Sequence, residues 1–280
     1  MEVVLMATKV QVVIVLYNLA IDQSPACQSF MKYSIPESMQ VLIYDHSTQP
    51  QQHSILCKEN VTYQHDPRNL GLATAYNEAF NRAKQNQCEW LLVLDQDTSC
   101  TPAYLEFAVT NHPDVACVLP KMMDQKQLSP VLADEYIDRT IRYPKEGITK
   151  QRVMAINSGT LWSIKFLQEI GGFNEAFPLD FLDHWIFFEV YARRQSVEVT
   201  GYTLHHQLSV FAYGSLSTAR YRSILTSETR YYTQYETTQF TRHQKQLLLR
   251  SAKQFLTLKN RKLWKMTVRE WYSLYKGVGK

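Results

Sequence analysis

Short continuous apolar runs alternate with segments whose apolar positions recur every three or four residues along the first hundred positions. The run 10–16 is almost wholly β-branched, 61–63 is short, β-branched and aromatic, and 41–44 and 90–94 are continuous aliphatic and aromatic runs, so each predicts a short strand, the first and last buried on both faces. Between them, 24–31 and the alanine-rich 72–84 carry helical spacing. Strands alternating with helices predict βαβ units and a mostly parallel sheet. Beyond it, 115–119 reads as another strand and 121–152 as a polar loop or small subdomain over the cleft. Order resumes with a strand at 153–156 and a short helix closed by Gly171-Gly172-Phe173. A helix over 181–194 and two late strands, 197–199 and 202–204, follow. From Ser217 the pattern is helical to the end, which places a boundary near Leu216 and divides the chain into 1–216 and 217–280.

In an open α/β sheet, ligands gather beyond the carboxyl ends of the strands. Four polar groups fall there: Tyr17-Asn18, Asp45-His46-Ser47, Asp95-Gln96-Asp97, and His205-His206 after the last strand. Two carboxylates at a strand end suit a divalent cation beside phosphates. They equally suit a solvated turn before a helix starting within 98–102, and three residues alone do not separate the two.

Composition narrows the classes. The 280 residues, 45% hydrophobic, suffice for one large α/β domain with an appendage. Five scattered cysteines form no C-x-x-C pair, which argues against a zinc site or disulfide framework and fits a reducing cytosol. The first residues carry no basic leader and the run 10–16 is too short to span a bilayer, so a cytoplasmic location is expected. The net charge of +4 is uneven. Residues 240–280 hold eleven basic residues against Glu270 alone, a net +10, which leaves −6 for the rest.

The ordered series Tyr17-Asn18, Asp45-His46-Ser47, Asn69-Leu70-Gly71-Leu72-Ala73-Thr74-Ala75-Tyr76-Asn77, Leu94-Asp95-Gln96-Asp97, Ser158-Gly159, Gly171-Gly172-Phe173, Asp180 to Asp183 and His206 resembles family 2 glycosyltransferases, most closely rhamnosyltransferase-like bacterial members. The resemblance covers about residues 9 to 210. It implies the GT-A fold and sugar transfer from a nucleotide-sugar, helped by Mg²⁺ or Mn²⁺. It assigns direct metal contact to Asp97, with Asp95 supporting the metal and facing the ribose, and His206 completing the metal or pyrophosphate site, with His205 as fallback. Tyr17, Asn18, Asp45, Asn69, Gly71, Gln96, Ser158 and Gly159 are then nucleotide-sugar contacts, Asp45 meeting the base and Ser158-Gly159 approaching the donor sugar. Asp183 is the expected general base for inversion, with Asp180 as its rival. Helix capping by Asp180 and dipole stabilisation by Asp183 would explain one of them without catalysis. His184 stands where the pattern often has an acid and, with Trp185, is a candidate acceptor contact; a core position is the alternative for Trp185.

The tail interleaves Leu247 to Leu249, Phe255, Leu256, Trp264 and Trp271 with lysines and arginines. That pattern suits peripheral contact with an anionic membrane at its inner face, or packing on the catalytic domain or on a second copy in a homo-oligomer. Nucleic acid is disfavoured because no matching module accompanies the charge. The expectation is a metal-dependent inverting transferase that moves rhamnose from dTDP-rhamnose to a hydroxyl of a surface polysaccharide or lipid-linked glycan. A UDP-hexose or UDP-N-acetylhexosamine donor is the alternative. A nucleotidyltransferase and an inactive sugar-binding module remain as other classes.

Overall fold

The structure, a computed structural model, describes residues 8–133, 141–206, 217–258 and 261–277. It divides into two compact units, the first holding the described residues up to 206 and the second those from 217 onward. Leu216, the expected boundary, and Gln207 to Ser209 after His206 lie outside the described residues.

The first unit is built on a sheet ordered β3-β2-β1-β4-β11-β6-β12-β5. Its leading strands are β1 (Val10–Leu16), β2 (Met39–Asp45), β3 (Val61–His65) and β4 (Trp90–Asp95), all parallel, with β1 between β2 and β4. Every residue of β1 is buried, which accounts for its unbroken apolar character. Even-numbered β1 side chains join Met39, Val41, Ile43, Leu92 and Leu94 in a core that includes Ala26, Cys27 and Phe30 of α1 (Pro25–Lys32) and Tyr104 and Leu105 of α3 (Pro102–Ala108). On β1 and β4 also packs α2 (Leu72–Gln85), whose inward positions Ala73, Ala75, Ala79 and Ala83 are completely buried. Four alanines on one helix face let backbone and sheet approach closely, while Tyr76 and Phe80 fill what remains.

The mostly parallel reading holds, with antiparallel pairings among the later strands. Among the later strands, β11 (Leu161–Ser163) is antiparallel to both β4 and β6 (Cys117–Met123), and its three residues are too few for a period to show. The two late strands are one, β12 (Val197–His206), parallel to β6, with a register shift between Val199 and Thr203 where the polar interruption had looked like a break. The segment 121–152 is not a bare loop. β6 runs on to Met123, and β7 (Gln127–Ser129), β8 (Val131–Leu132) and β9 (Gly147–Thr149) pair with β6, β10 (Val153–Met154) and β12 respectively. Within 98–102, β5 (Thr98–Ser99) first pairs with the end of β12, and the expected helix, α3, then begins at Pro102, capped by Thr101. The helices α4 (Ile164–Ile170), closed by the left-handed Gly171, and α5 (Leu182–Ala192) stand where the pattern put them.

In the second unit, α6 (Thr218–Gln234), α7 (Phe240–Thr257) and α8 (Arg261–Gly277) share a small core of Tyr221, Leu225, Leu247 and Leu263. It is reinforced by polar groups. Gln254 Nε2 donates to the Tyr221 hydroxyl at 2.7 Å, and Arg250 grips Glu228 through two contacts of 2.6 Å. Among the described residues, no helix is long and apolar enough to cross a membrane.

Candidate active site

Strands β1, β2 and β4 end along one edge of the sheet, and the turns that follow are tied to one another. Asn18, with a left-handed φ of 51°, donates its backbone N–H to Ser47 Oγ at 2.9 Å. Gln96 links the ends of β1 and β4, its Oε1 accepting from the Tyr17 N–H at 2.8 Å and its carbonyl from Ser24 Oγ at 2.7 Å. The Tyr17 side chain stands half exposed above this edge. Asp45 is the last residue of β2 rather than just beyond it, and it is 0% exposed. Its Oδ1 accepts from the Ser47 N–H at 2.8 Å, and its Oδ2 from Tyr63 Oη at 2.7 Å and Gln51 Nε2 at 3.0 Å. The expectation that Asp45 faces a base directly is therefore corrected: its carboxylate serves the chain's own donors and shapes the turn.

The Asn69-to-Asn77 segment is placed by contacts within the same unit. Asn69 is left-handed at φ 50°, and Gly71, at φ 98°, opens α2 with no side-chain cap. A Cβ on Gly71 would stand 2.3 Å from the Pro178 carbonyl oxygen, so both conformation and space demand glycine. The His46 ring lies 3.2 Å from the carbonyl oxygens of both Asp66 and Gly71. Asn77 exchanges two hydrogen bonds with the Phe173 backbone, at 2.8 and 2.7 Å.

At the end of β4 the acidic pair meets the end of β12. The β5–β12 pairing sets Thr98 opposite His206, which brings His206 Nδ1 within 2.7 Å of Thr98 Oγ1 and 3.3 Å of Asp97 Oδ1. Asp95, Asp97 and His206 each offer one ligand atom, all within 4.8 Å of one another. Asp97 Oδ1 is buried and accepts no hydrogen bond. An orphaned carboxylate oxygen beside a second carboxylate and an imidazole fits a small divalent cation, the hard-oxygen and nitrogen donor set of Mg²⁺ or Mn²⁺. Asp95 is steadied separately, its Oδ1 accepting from Tyr76 Oη at 2.9 Å while its N–H donates to Ser158 Oγ at 2.8 Å. Burial, and then the charge of Asp97, push the Asp95 carboxyl above its ordinary range, against the opposing pull of His206.

Asp183 lies in the first turn of α5, which Phe181 opens in a left-handed conformation without a side-chain cap, so Asp180 is not the helix cap. Burial raises the Asp183 carboxyl to about 7, and the negative charge of Asp95 adds to the shift. A hydrogen bond from the Asn157 backbone opposes it, and the charge of Asp180 reinforces it. A carboxylate poised there can take a proton near neutrality. The Trp185 expectation is corrected. This side chain is 4% exposed because it follows Leu182 by three positions on the inward face of α5, so it offers no platform to a sugar. His184, half-buried, lies with its ring 4.5 Å from that of Phe181. Ser158 is completely buried and holds Asp95 and Thr98, while the open side of Gly159 is filled by Leu204 and Met122 rather than kept for a ligand.

Two residues escaped the sequence reading. Tyr76 is the hydroxyl behind Asp95, and Thr98 joins Ser158 to His206 at 2.7 Å on each side. A tyrosine inside an alanine-rich buried helix face was the available signal, since its hydroxyl needs a partner. Thr98 gave none.

The family model for Glycosyl transferase family 2 matches residues 36–167. That stretch includes Asp45, Asp95, Asp97, Ser158 and Gly159 but not Asp183 or His206. Among solved structures, GalNAc-T7 with UDP, GalNAc and Mn²⁺ is similar at 13% identity and TM-score 0.57 over 82% of this chain and 49% of that one. S. aureus TarS 1-349 with UDP is similar at 13% identity and TM-score 0.51 over 95% and 81%. The mannosyltransferase PcManGT from Pyrobaculum calidifontis with GDP-Man and Mn²⁺ is similar at 13% identity and TM-score 0.53 over 79% and 63%. The chain thus spans about half the length of the GalNAc-T7 chain that it matches. Comparison with curated proteins finds no match. The class these findings define is one of fold: the chain has the GT-A architecture of those glycosyltransferases, with the family 2 model matching its residues 36–167.

Proposed function

We propose that the chain is a metal-dependent inverting glycosyltransferase in which Asp183 is the general base, and Asp97, Asp95 and His206 form the cation site. The observation that carries this reading is the convergence of those three side chains within 4.8 Å around an unpartnered Asp97 oxygen. When bound, the cation supplies positive charge beside the donor's pyrophosphate oxygens. The chain's own residues do the rest. Tyr17, Asn18 and the Asp45–Ser47 turn frame the nucleotide, Gln96 fixes that frame to the metal site, and Asn69 and Gly71 set the entry of α2 beneath it. The acceptor hydroxyl gives its proton to the Asp183 carboxylate as its oxygen bonds the donor's anomeric carbon, and the bond from that carbon to the phosphate oxygen breaks, releasing a nucleoside diphosphate. Protonated Asp183 is tolerated because its surroundings already favour the neutral form.

The donor preferred by the ordered motif series is dTDP-rhamnose, with a hydroxyl of a surface polysaccharide or lipid-linked glycan as acceptor. A UDP-sugar is the second reading, favoured by GalNAc-T7 and TarS having been solved with UDP. The first unit is the catalytic one and the helical unit an extension that contacts an anionic membrane surface. Thermal shift with dTDP, UDP and their sugars, with and without Mn²⁺, tests the site. At least one nucleotide is expected to raise the melting temperature in a metal-dependent way, and Asp97→Ala to abolish the metal-dependent part. An equal response from Asp97→Ala rejects the cation site.

A further inference from the structure

Asp95 is held at two places, and the second governs how it can bind a cation. Its backbone N–H donates to Ser158 Oγ at 2.8 Å, which fixes the end of β4, and its Oδ1 accepts from Tyr76 Oη at 2.9 Å. The phenol is not free to follow a turning carboxylate. Tyr76 is 0% exposed on the inward face of α2, and its ring meets that of Phe173 edge to face with centroids 5.1 Å apart. The next residue, Asn77, is tied to the Phe173 backbone by two hydrogen bonds, and a Cβ on Gly172 would stand 2.7 Å from Asn77 Oδ1, so this segment packs directly on α2. Turning Asp95 Oδ1 away would leave a buried hydroxyl unpaired. A carboxylate oxygen that already takes such a hydrogen bond is also the weaker ligand of its pair, so Asp95 has one good oxygen to give. Asp97 offers its unpartnered Oδ1, His206 offers one nitrogen, and ligand atoms of the three residues lie within 4.8 Å of one another. Mg²⁺ and Mn²⁺ take about six ligands in a tight octahedral shell. Ca²⁺ is larger, takes roughly six to eight oxygens and often recruits both oxygens of one carboxylate, so ligand number and rigidity separate the two sizes of ion.

We propose that Tyr76 is a positioning residue that selects the metal: by holding Asp95 Oδ1 it limits this carboxylate to one-oxygen ligation and so favours Mn²⁺ or Mg²⁺ over Ca²⁺. The proposal rests on the cation site of the transferase reading above and adds what chooses its ion. Electron paramagnetic resonance of Mn²⁺ titrated into the full chain, followed by displacement with Ca²⁺, gives both dissociation constants without any turnover. The wild type is expected to hold Mn²⁺ about tenfold or more tighter than Ca²⁺, and Tyr76→Phe to narrow that ratio about fivefold or more. Tyr44→Phe is the control. It removes another buried tyrosine hydroxyl that donates to a carboxylate, Asp66 Oδ2 at 2.7 Å, outside the cation set, and should leave the ratio unchanged. Lost packing weakens both ions alike, whereas a freed Asp95 moves the ratio. Should Tyr76→Phe fail to fold by circular dichroism, infrared difference spectra of the wild type with and without Mn²⁺ decide. A wide separation of the two carboxylate stretches, the mark of one-oxygen ligation, is expected, and the narrow separation of a chelating carboxylate overturns the proposal. An unchanged ratio in Tyr76→Phe, an equal narrowing in Tyr44→Phe, or wild-type Ca²⁺ binding as tight as that of Mn²⁺ overturns it too. In those cases Mn²⁺ still binds and the cation site stands. If the wild type binds no Mn²⁺, alone or with UDP or dTDP, the cation site of the transferase reading falls instead.

Discussion

Asp183 carries two consequences that one substitution separates. Its carboxyl is raised from 3.8 to about 7, so the folded protein holds a proton there that the unfolded chain releases near pH 4. The stability due to this proton is complete below about pH 4 and is lost as the pH rises through about 7. In metal-free protein, Asp183→Asn is therefore expected to melt several degrees above the wild type at pH 8 and level with it at pH 4, by scanning calorimetry. The same variant should lose at least about a hundredfold in transfer rate, since the base is gone, while its metal-dependent nucleotide shift persists. For the wild type, the rate should fall as the pH drops through about 7, or lower with the cation present, because positive charge favours the carboxylate. Retained activity in Asp183→Asn would move the base elsewhere. At this scale the sequence was most legible where a side chain acts at its own position. Asp95 and Asp97 end an apolar run and announce themselves; Tyr76 and Thr98 act on Asp95 and His206, 19 and 108 positions away, and no local pattern carries that.

At the scale of elements, length decided what could be read. β1, β2 and β4 are buried at seven, six and five positions and were plain in the sequence, as were α2 and α5. β5 and β11 are two and three residues long, exist only through their partners, and were missed, and with them their antiparallel pairings. The junction before α2 shows how tightly such elements are held. At Gly71 the backbone is left-handed and the space for a Cβ is taken by the Pro178 carbonyl, so Gly71→Ala should destabilise the first unit by about 2 kcal/mol or more, seen in urea unfolding. A loss below about half a kilocalorie would mean that the Pro178 segment gives way.

The whole molecule joins an acidic α/β unit to a basic helical one. The division is visible in charge alone, because residues 240–280 hold a net +10 in a chain of +4. On α7, Leu248, Leu249, Phe255 and Leu256 are exposed, Leu256 at 81%, with exposed Lys245 and Lys253 beside them. Apolar side chains set among cations at a surface fit a bilayer carrying anionic lipid. The full chain should float with phosphatidylglycerol liposomes and not with neutral ones, and Leu249→Glu/Leu256→Glu should reduce flotation severalfold. Flotation unchanged by those substitutions would remove the membrane role.

The partnership of Thr98 with His206 also orders events in time. The parallel strands that lead to Asp95 and Asp97 are complete by residue 95, yet His206, the third of the proposed ligands, arrives on β12, more than a hundred residues later. A nascent chain leaving the ribosome therefore presents its two aspartates, mutually repelling, well before the imidazole that completes the set exists. Until residue 206 has emerged and zipped against β5, the growing polypeptide holds only two of the three proposed ligands, so on that proposal competence for metal arrives with the last strand of the first unit.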